Sequence, residues 1–167
     1  SGARIFEIID AASEVTDEPG AQPLPSVKGE VVFEDVTFGY VPKHLILHGV
    51  SFVVRPGQIV ALLGTTGSGK STVINLIPRF YDPTAGTVSI SGIDLRSMRI
   101  QDLRQRIGVV TQETLLFDDT VLNNIRYGTP EATLEQVIEA AKQAHAHHFV
   151  TTVLSESYQT LCGPSGN

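Results

Sequence analysis

The chain has 167 residues, 41% hydrophobic and 18% charged, enough apolar material for a domain with its own core and too much for global disorder. Its single cysteine, Cys162, excludes a disulfide framework and a cysteine zinc site, and suits a reducing compartment. With 18 acidic against 12 basic residues, net charge −6, a general nucleic-acid surface is excluded, and the longest apolar run, residues 59–63, is far short of the about 20 a membrane helix needs.

Residues 3–10 place Ile5, Phe6, Ile8 and Ile9 on a helix-like stripe. Residues 13–29 carry Pro19, Gly20, Pro23, Pro25 and Gly29 among polar residues and read as a linker, so the compact domain is expected to start near Glu30. Residues 30–38 and 50–54 read as an antiparallel pair of strands. Residues 58–63 (QIVALL) are a continuous apolar run, the pattern of a strand buried on both faces. A glycine-rich loop, residues 64–69, leads into a predicted helix over 70–80 with Val73, Ile74, Leu76 and Ile77 as its stripe. A turn at 83–86, a strand at 87–91, a short helix at 100–106 and a strand at 107–111 follow. Thr133 opens a helix with Leu134, Val137, Ile138 and Ala141 on its apolar face, reaching about His145, and 149–154 add another turn or two.

Gly64-Thr65-Thr66-Gly67-Ser68-Gly69-Lys70-Ser71 fits G-x-x-x-x-G-K-[ST], with an apolar run before it and a helical pattern after it. Glycine lets backbone N–H groups curl around a polyphosphate. The following helix points its positive end at the anion. Lys70 supplies a compact charge for the β- and γ-phosphates and Ser71 a hydroxyl for Mg²⁺. The loop by itself specifies a nucleotide and not what is done with it.

The surroundings of the loop resemble the nucleotide-binding domain of ATP-binding cassette transporters, and most of all the exporter type. Phe38-Gly39-Tyr40 is similar to the aromatic A-loop, and Val109-Val110-Thr111-Gln112-Glu113 to the Q-loop. Leu116-Phe117, Thr120-Val121 and Asn124-Ile125-Arg126-Tyr127-Gly128 resemble the exporter stretch after it; Tyr81-Asp82-Pro83-Thr84-Ala85-Gly86 is a family-like turn. Arg4–Asp10 resembles the segment that leaves the last membrane helix. From the residues alone, Tyr40 suits either a base-stacking role or an aromatic capping a strand end; the resemblance assigns it to adenine.

The resemblance implies an α/β P-loop fold with an antiparallel β-subdomain, part of a RecA-like parallel core and part of a helical subdomain. Residues 1–29 would be the end of the membrane-domain connection and a linker, and 30–167 the N-terminal part of the cassette. The nucleotide site would comprise Tyr40, Gly64, Thr65, Thr66, Gly67, Ser68, Gly69, Lys70, Ser71, Thr72 and Gln112, with ATP and Mg²⁺ as ligands and Ser71 and Gln112 on the metal. The implied partners are a transmembrane domain of the same polypeptide and a second nucleotide-binding domain, at the cytoplasmic face of a membrane. The work would be ATP hydrolysis coupled to moving a substrate across it.

The family's L-S-G-G-Q-like signature, its strand ending in Asp followed by a catalytic Glu, and its later switch histidine do not occur in these 167 residues. No catalytic residue is assigned, and 58–63 and 107–111 are expected to lack the two strands that lie between them in the family, leaving open edges prone to self-association. Leu115-Leu116-Phe117-Asp118-Asp119 imitates the Asp-terminated strand but follows Gln112 too closely. In residues 160–166, Pro164 and Ser165 replace the charged pair of the family's T-x-V-G-E-R-G. His145, His147 and His148 read as a solvated helix end, and Arg96, Arg99, Arg104 and Arg106 as either a phosphate lid or the solvent face of a short helix. The alternatives are a small-molecule P-loop kinase, which would use those arginines as its lid, and a non-catalytic nucleotide-binding module.

Overall fold

The computed structural model describes residues 15–23, 29–111 and 115–163. They fall into two compact units, divided between Gly108 and Val109. Gln112, the stripe at 3–10 and the Pro164–Ser165 departure lie outside the described residues.

The first unit is built on a four-stranded sheet. Strands β1 (Val31–Phe38), β2 (Leu47–Val54), β3 (Ala85–Ile90) and β4 (Ile93–Asp94) lie in the order β2-β1-β3-β4, all antiparallel. In β1 the buried residues are Phe33, Val36 and Phe38, a spacing of three and then two. The register slips between Phe33 and Val36, where Asp35 turns to a positive φ of 50° and its N–H donates to Ser51 Oγ at 2.9 Å. One extra residue therefore restores the apolar face that strict alternation would have lost.

Helix α1 (Lys70–Leu76) packs Val73 and Leu76 against Phe33, Val36, Phe38, Leu47 and Val88. It is shorter than the predicted 70–80. Ile77 still holds helical angles, φ −66° and ψ −48°, but Pro78 has no N–H to continue the ladder, so the chain leaves in turns. After β4, a short 3₁₀ turn (Leu95–Ser97) and α2 (Ile100–Arg104) close the core with Leu95, Met98 and Leu103.

Two expected strands are not formed. Residues 58–63 make no strand; Ile59 is fully exposed and Leu63 is 91% exposed. Residues 107–111 make none either, and Val110 is fully exposed. The apolar pattern of 58–63 suits burial on two faces, but among the described residues no neighbouring strand pairs with either segment, in line with the expected lack of the strands between them.

The second unit pairs β5 (Asp119–Thr120) with β6 (Leu161–Cys162) and carries α3 (Val121–Ile125), α4 (Leu134–Gln143) and α5 (His147–Thr152). Thr133 and Gln136 form a full capping box at the start of α4, with bonds of 3.3 and 2.9 Å. Val121, Val137, Ala141, Val150 and Tyr158 form its core. Three of the four predicted stripe residues face the core, Val137 and Ala141 buried and Ile138 partly so, but Leu134 is 46% exposed.

Candidate nucleotide-binding site

The loop of residues 64–69 turns into α1 through Gly69, a buried residue in the left-handed region at φ 89° and ψ 6°. A Cβ there would stand 2.7 Å from Leu47 Cδ2 and 3.2 Å from Ile46 Cγ2, so the core side chains of β2 and its entry leave room only for glycine. Gly67 has a similar φ of 84° but faces open space. Within the loop, Ser68 N–H donates to the Thr65 carbonyl at 3.2 Å.

Gly69 offers no side-chain cap, and the first turn of α1 holds no acidic residue. The helix start is thus left to an outside anion. Lys70 Nζ lies over the loop, donating to the carbonyls of Gly64 at 2.9 Å and Thr65 at 2.8 Å and standing 3.4 Å from Ser68 Oγ. Neutral carbonyls hold the ammonium where a phosphate would compete for it. Ser71 is exposed beside it and Thr72 is buried.

Tyr40 lies beyond β1 yet is tied to α1. Its hydroxyl stands 3.3 Å from Thr72 Oγ1 and accepts from Asn75 Nδ2 at 3.4 Å. Its ring meets Phe38 and Tyr81 edge-on, with centroids 5.0 and 4.9 Å away, while the residue stays 44% exposed. Edge contacts fix the ring's orientation and leave a face for a flat π-system. The fold therefore brings Tyr40 to the helix that opens at Lys70. Asn75 and Tyr81 were not assigned to the site from sequence; Asn75 has no motif signal, and Tyr81 stood only in a family-like turn.

Arg104 and Arg96 are engaged elsewhere. Arg104 donates to the carbonyls of Pro78 at 2.9 Å and Arg79 at 2.8 Å and lies over the Phe80 ring, and so holds the turn that follows α1. Arg96 pairs with Asp94 at 2.7 Å. Burial alone would raise the Asp94 carboxyl; hydrogen bonds from the Arg96 side chain and backbone overcome it and hold it below the ordinary value. Arg79, which drew no attention in the sequence, is 2% exposed and grips Asp82 with two bonds of 2.8 and 3.1 Å.

In the second unit, Asp119 sits in a two-residue strand and Leu115 before it is 84% exposed, which suits no buried strand ending in a metal-binding Asp. Asp119 instead accepts from Asn123 Nδ2 at 2.6 Å and Thr120 N–H at 2.7 Å, which lowers its carboxyl below the ordinary value. Asn124 donates to the carbonyls of Phe117, Asp119 and Thr120 and accepts from Phe117 N–H at 2.8 Å, and so ties residues 117–120 to the start of α3. The histidines do not form one solvated end: His145 sits between α4 and α5 at φ 57°, and His147 Nδ1 meets the Tyr158 hydroxyl at 2.9 Å. No metal-binding cluster of His, Cys, Asp or Glu occurs among the described residues.

The family model described as ABC transporter matches residues 47–164. The chain is 47% identical over 164 residues to a putative multidrug export ATP-binding/permease protein of Bacillus subtilis, covering 98% of this chain and 28% of that protein. It is 42% identical over 163 residues to an ATP-dependent lipid A-core flippase of Syntrophus aciditrophicus, covering 98% and 27%. Among solved structures, a bacterial Atm1-family ABC exporter with ATP bound matches with a TM-score of 0.88 and 41% identity over 99% of this chain and 29% of that one. The chain thus spans less than a third of the length of these relatives, and within that span the loop, the sheet and the helices follow one pattern: the chain belongs to the ABC transporter family and carries the P-loop fold of its ATP-binding cassette.

Proposed function

We propose that this chain is the ATP-binding part of an exporter in which ATP binding and hydrolysis drive a substrate across a membrane. Residues 30–167 form the N-terminal part of the cassette, and 1–29 lead from a transmembrane domain of the same polypeptide at the cytoplasmic face. A second nucleotide-binding domain completes the working unit. The observation that supports the reading is the tether between Tyr40 and α1 through Thr72, which keeps an aromatic ring beside the helix that opens from the glycine-rich loop. In this reading Tyr40 stacks adenine, and the backbone of Gly64, Thr65, Thr66, Gly67, Ser68 and Gly69 cradles the phosphates. Lys70 leaves its carbonyls for phosphate oxygens. Ser71, exposed at the helix start, fits a Mg²⁺ ligand, and Gln112 is its proposed companion. The metal, when bound, neutralises phosphate charge.

The test is calorimetric titration with Mg²⁺–ATP and with Mg²⁺–tripolyphosphate, which lacks the base. Lys70→Ala should weaken both ligands. Tyr40→Ala should weaken ATP alone, by roughly 1–3 kcal/mol, the value of one base–aromatic stack. Unchanged ATP affinity in Tyr40→Ala removes Tyr40 from the site. Because no signature or catalytic Glu occurs in the 167 residues, the chain by itself should bind ATP without sustained turnover.

A further inference from the structure

The stretch read from sequence as linker is anchored in the first unit. Gln22 forms a parallel bridge with Met98: its N–H donates to the Ser97 carbonyl at 2.9 Å and its carbonyl accepts from Arg99 at 3.0 Å. Asp17 Oδ1 accepts from Ile100 N–H at 2.8 Å, at the start of α2. The Thr16 carbonyl accepts from Arg79 Nη2 at 3.3 Å.

The same guanidinium holds three partners. Its Nε and Nη2 hold Asp82, its Nη1 reaches the Arg96 carbonyl at 3.4 Å, and its Nη2 also holds Thr16. Asp82 follows Tyr81, whose ring sets the edge of Tyr40. Val15, next to Thr16, joins Phe38, Tyr40, Tyr81 and Asp82 in lining a cavity of about 270 Å³. A buried cation cannot release one acceptor without cost, since its other bonds must readjust to keep it satisfied. The geometry points to Arg79 as a positioning residue that couples docking of residues 15–22 to the stacking of adenine on Tyr40. The segment that would lead in from the membrane domain then shares one network with the base subsite. Coupling of this kind is reciprocal: ATP tightens the segment, and freeing the segment weakens ATP through its base. The inference rests on the proposed role of Tyr40.

The test uses the full chain and two variants outside the phosphate loop. Asp17→Ala removes an exposed carboxylate and loosens the segment; Arg79→Lys keeps the charge and loses the fork. Affinities for Mg²⁺–ATP and Mg²⁺–tripolyphosphate are measured beside Tyr40→Ala, with hydrogen exchange read at Ala21 and Gln22, whose amides are bonded. Both variants should bind ATP about fivefold or more weakly, the lower end of measured couplings, with tripolyphosphate unchanged. ATP should slow exchange at Ala21 and Gln22 in the parent and much less in Arg79→Lys. Equal loss for both ligands means general damage and overturns the coupling, as does unchanged ATP affinity with fast exchange in Asp17→Ala. If Arg79→Lys does not fold, Asp17→Ala decides alone. Selective loss in Tyr40→Ala without it in the other two sinks the coupling and spares the base site; no effect in Tyr40→Ala sinks the base site itself.

Discussion

Gly67→Ala and Gly69→Ala add the same methyl group to the same loop, and the structure gives them different costs. Both residues sit at positive φ, 84° and 89°, where an L side chain costs about 1–2 kcal/mol. At Gly67 nothing lies within 4 Å of the new Cβ, so that strain is the whole effect. At Gly69 the Cβ would stand 2.7 Å from Leu47 Cδ2, and Leu47 is only 3% exposed, with little room to retreat. Overpacking of that kind adds about 1–3 kcal/mol. The expected losses are therefore about 1–2 kcal/mol for Gly67→Ala and about 2–5 kcal/mol for Gly69→Ala. Urea unfolding without nucleotide measures both, provided the slope with denaturant is unchanged. Equal stabilities for the two variants would show that β2 does not seat against the loop, and the packing account of Gly69 would be wrong.

Two further outcomes follow from particular contacts. The folded Asp94 carboxyl lies below its ordinary value of 3.8, so the unfolded chain binds the proton more readily and the contribution of Asp94 is present above about pH 4 and lost as pH falls through the lower folded value. Thermal unfolding against pH should show a shallower acid slope in Asp94→Asn, by no more than about 1 kcal/mol given its partial exposure; parallel curves would discount the Arg96 pair. Ile59→Lys and Val110→Lys alter fully exposed side chains, so each should change stability by no more than about 0.5 kcal/mol while reducing concentration-dependent self-association in sedimentation. A loss above about 2 kcal/mol would mean that these residues are buried in strands.

What could be read from sequence was local. The phosphate loop is contiguous, and its glycines, Lys70 and Ser71 carry their chemistry in their spacing. The capping box at Thr133 and Gln136 is equally local: hydroxyl, helix start and amide fall within four residues. Arg79 shows the limit. Its role depends on Thr16 and Arg96, 63 and 17 residues away, and nothing in the run Pro78-Arg79-Phe80 marks a buried ion pair. The division between Gly108 and Val109 was likewise invisible, because no glycine or proline cluster announces it.

The two missing strands make the same point from the energetic side. The pattern of residues 58–63 records what the segment can bury, not what will cover it. Fixing the backbone costs about 1–2 kcal/mol per residue. A parallel strand recovers that through ladder hydrogen bonds to neighbours and through burial of both faces, about 1.5–3 kcal/mol for each large apolar side chain. Among the described residues little of either gain is available: no strand pairs with 58–63, Ile59 and Leu63 face solvent, and Leu62 packs only partly against the core. β1 and β2 have the weaker pattern, loosely alternating and bulged at Asp35, yet they form, because each has an antiparallel partner close in sequence and α1 to cover its face. Strand formation here follows the partner rather than the propensity. That is why β1 and β2 form as expected, while 58–63 and 107–111, expected to lack the strands that lie between them in the family, do not become strands.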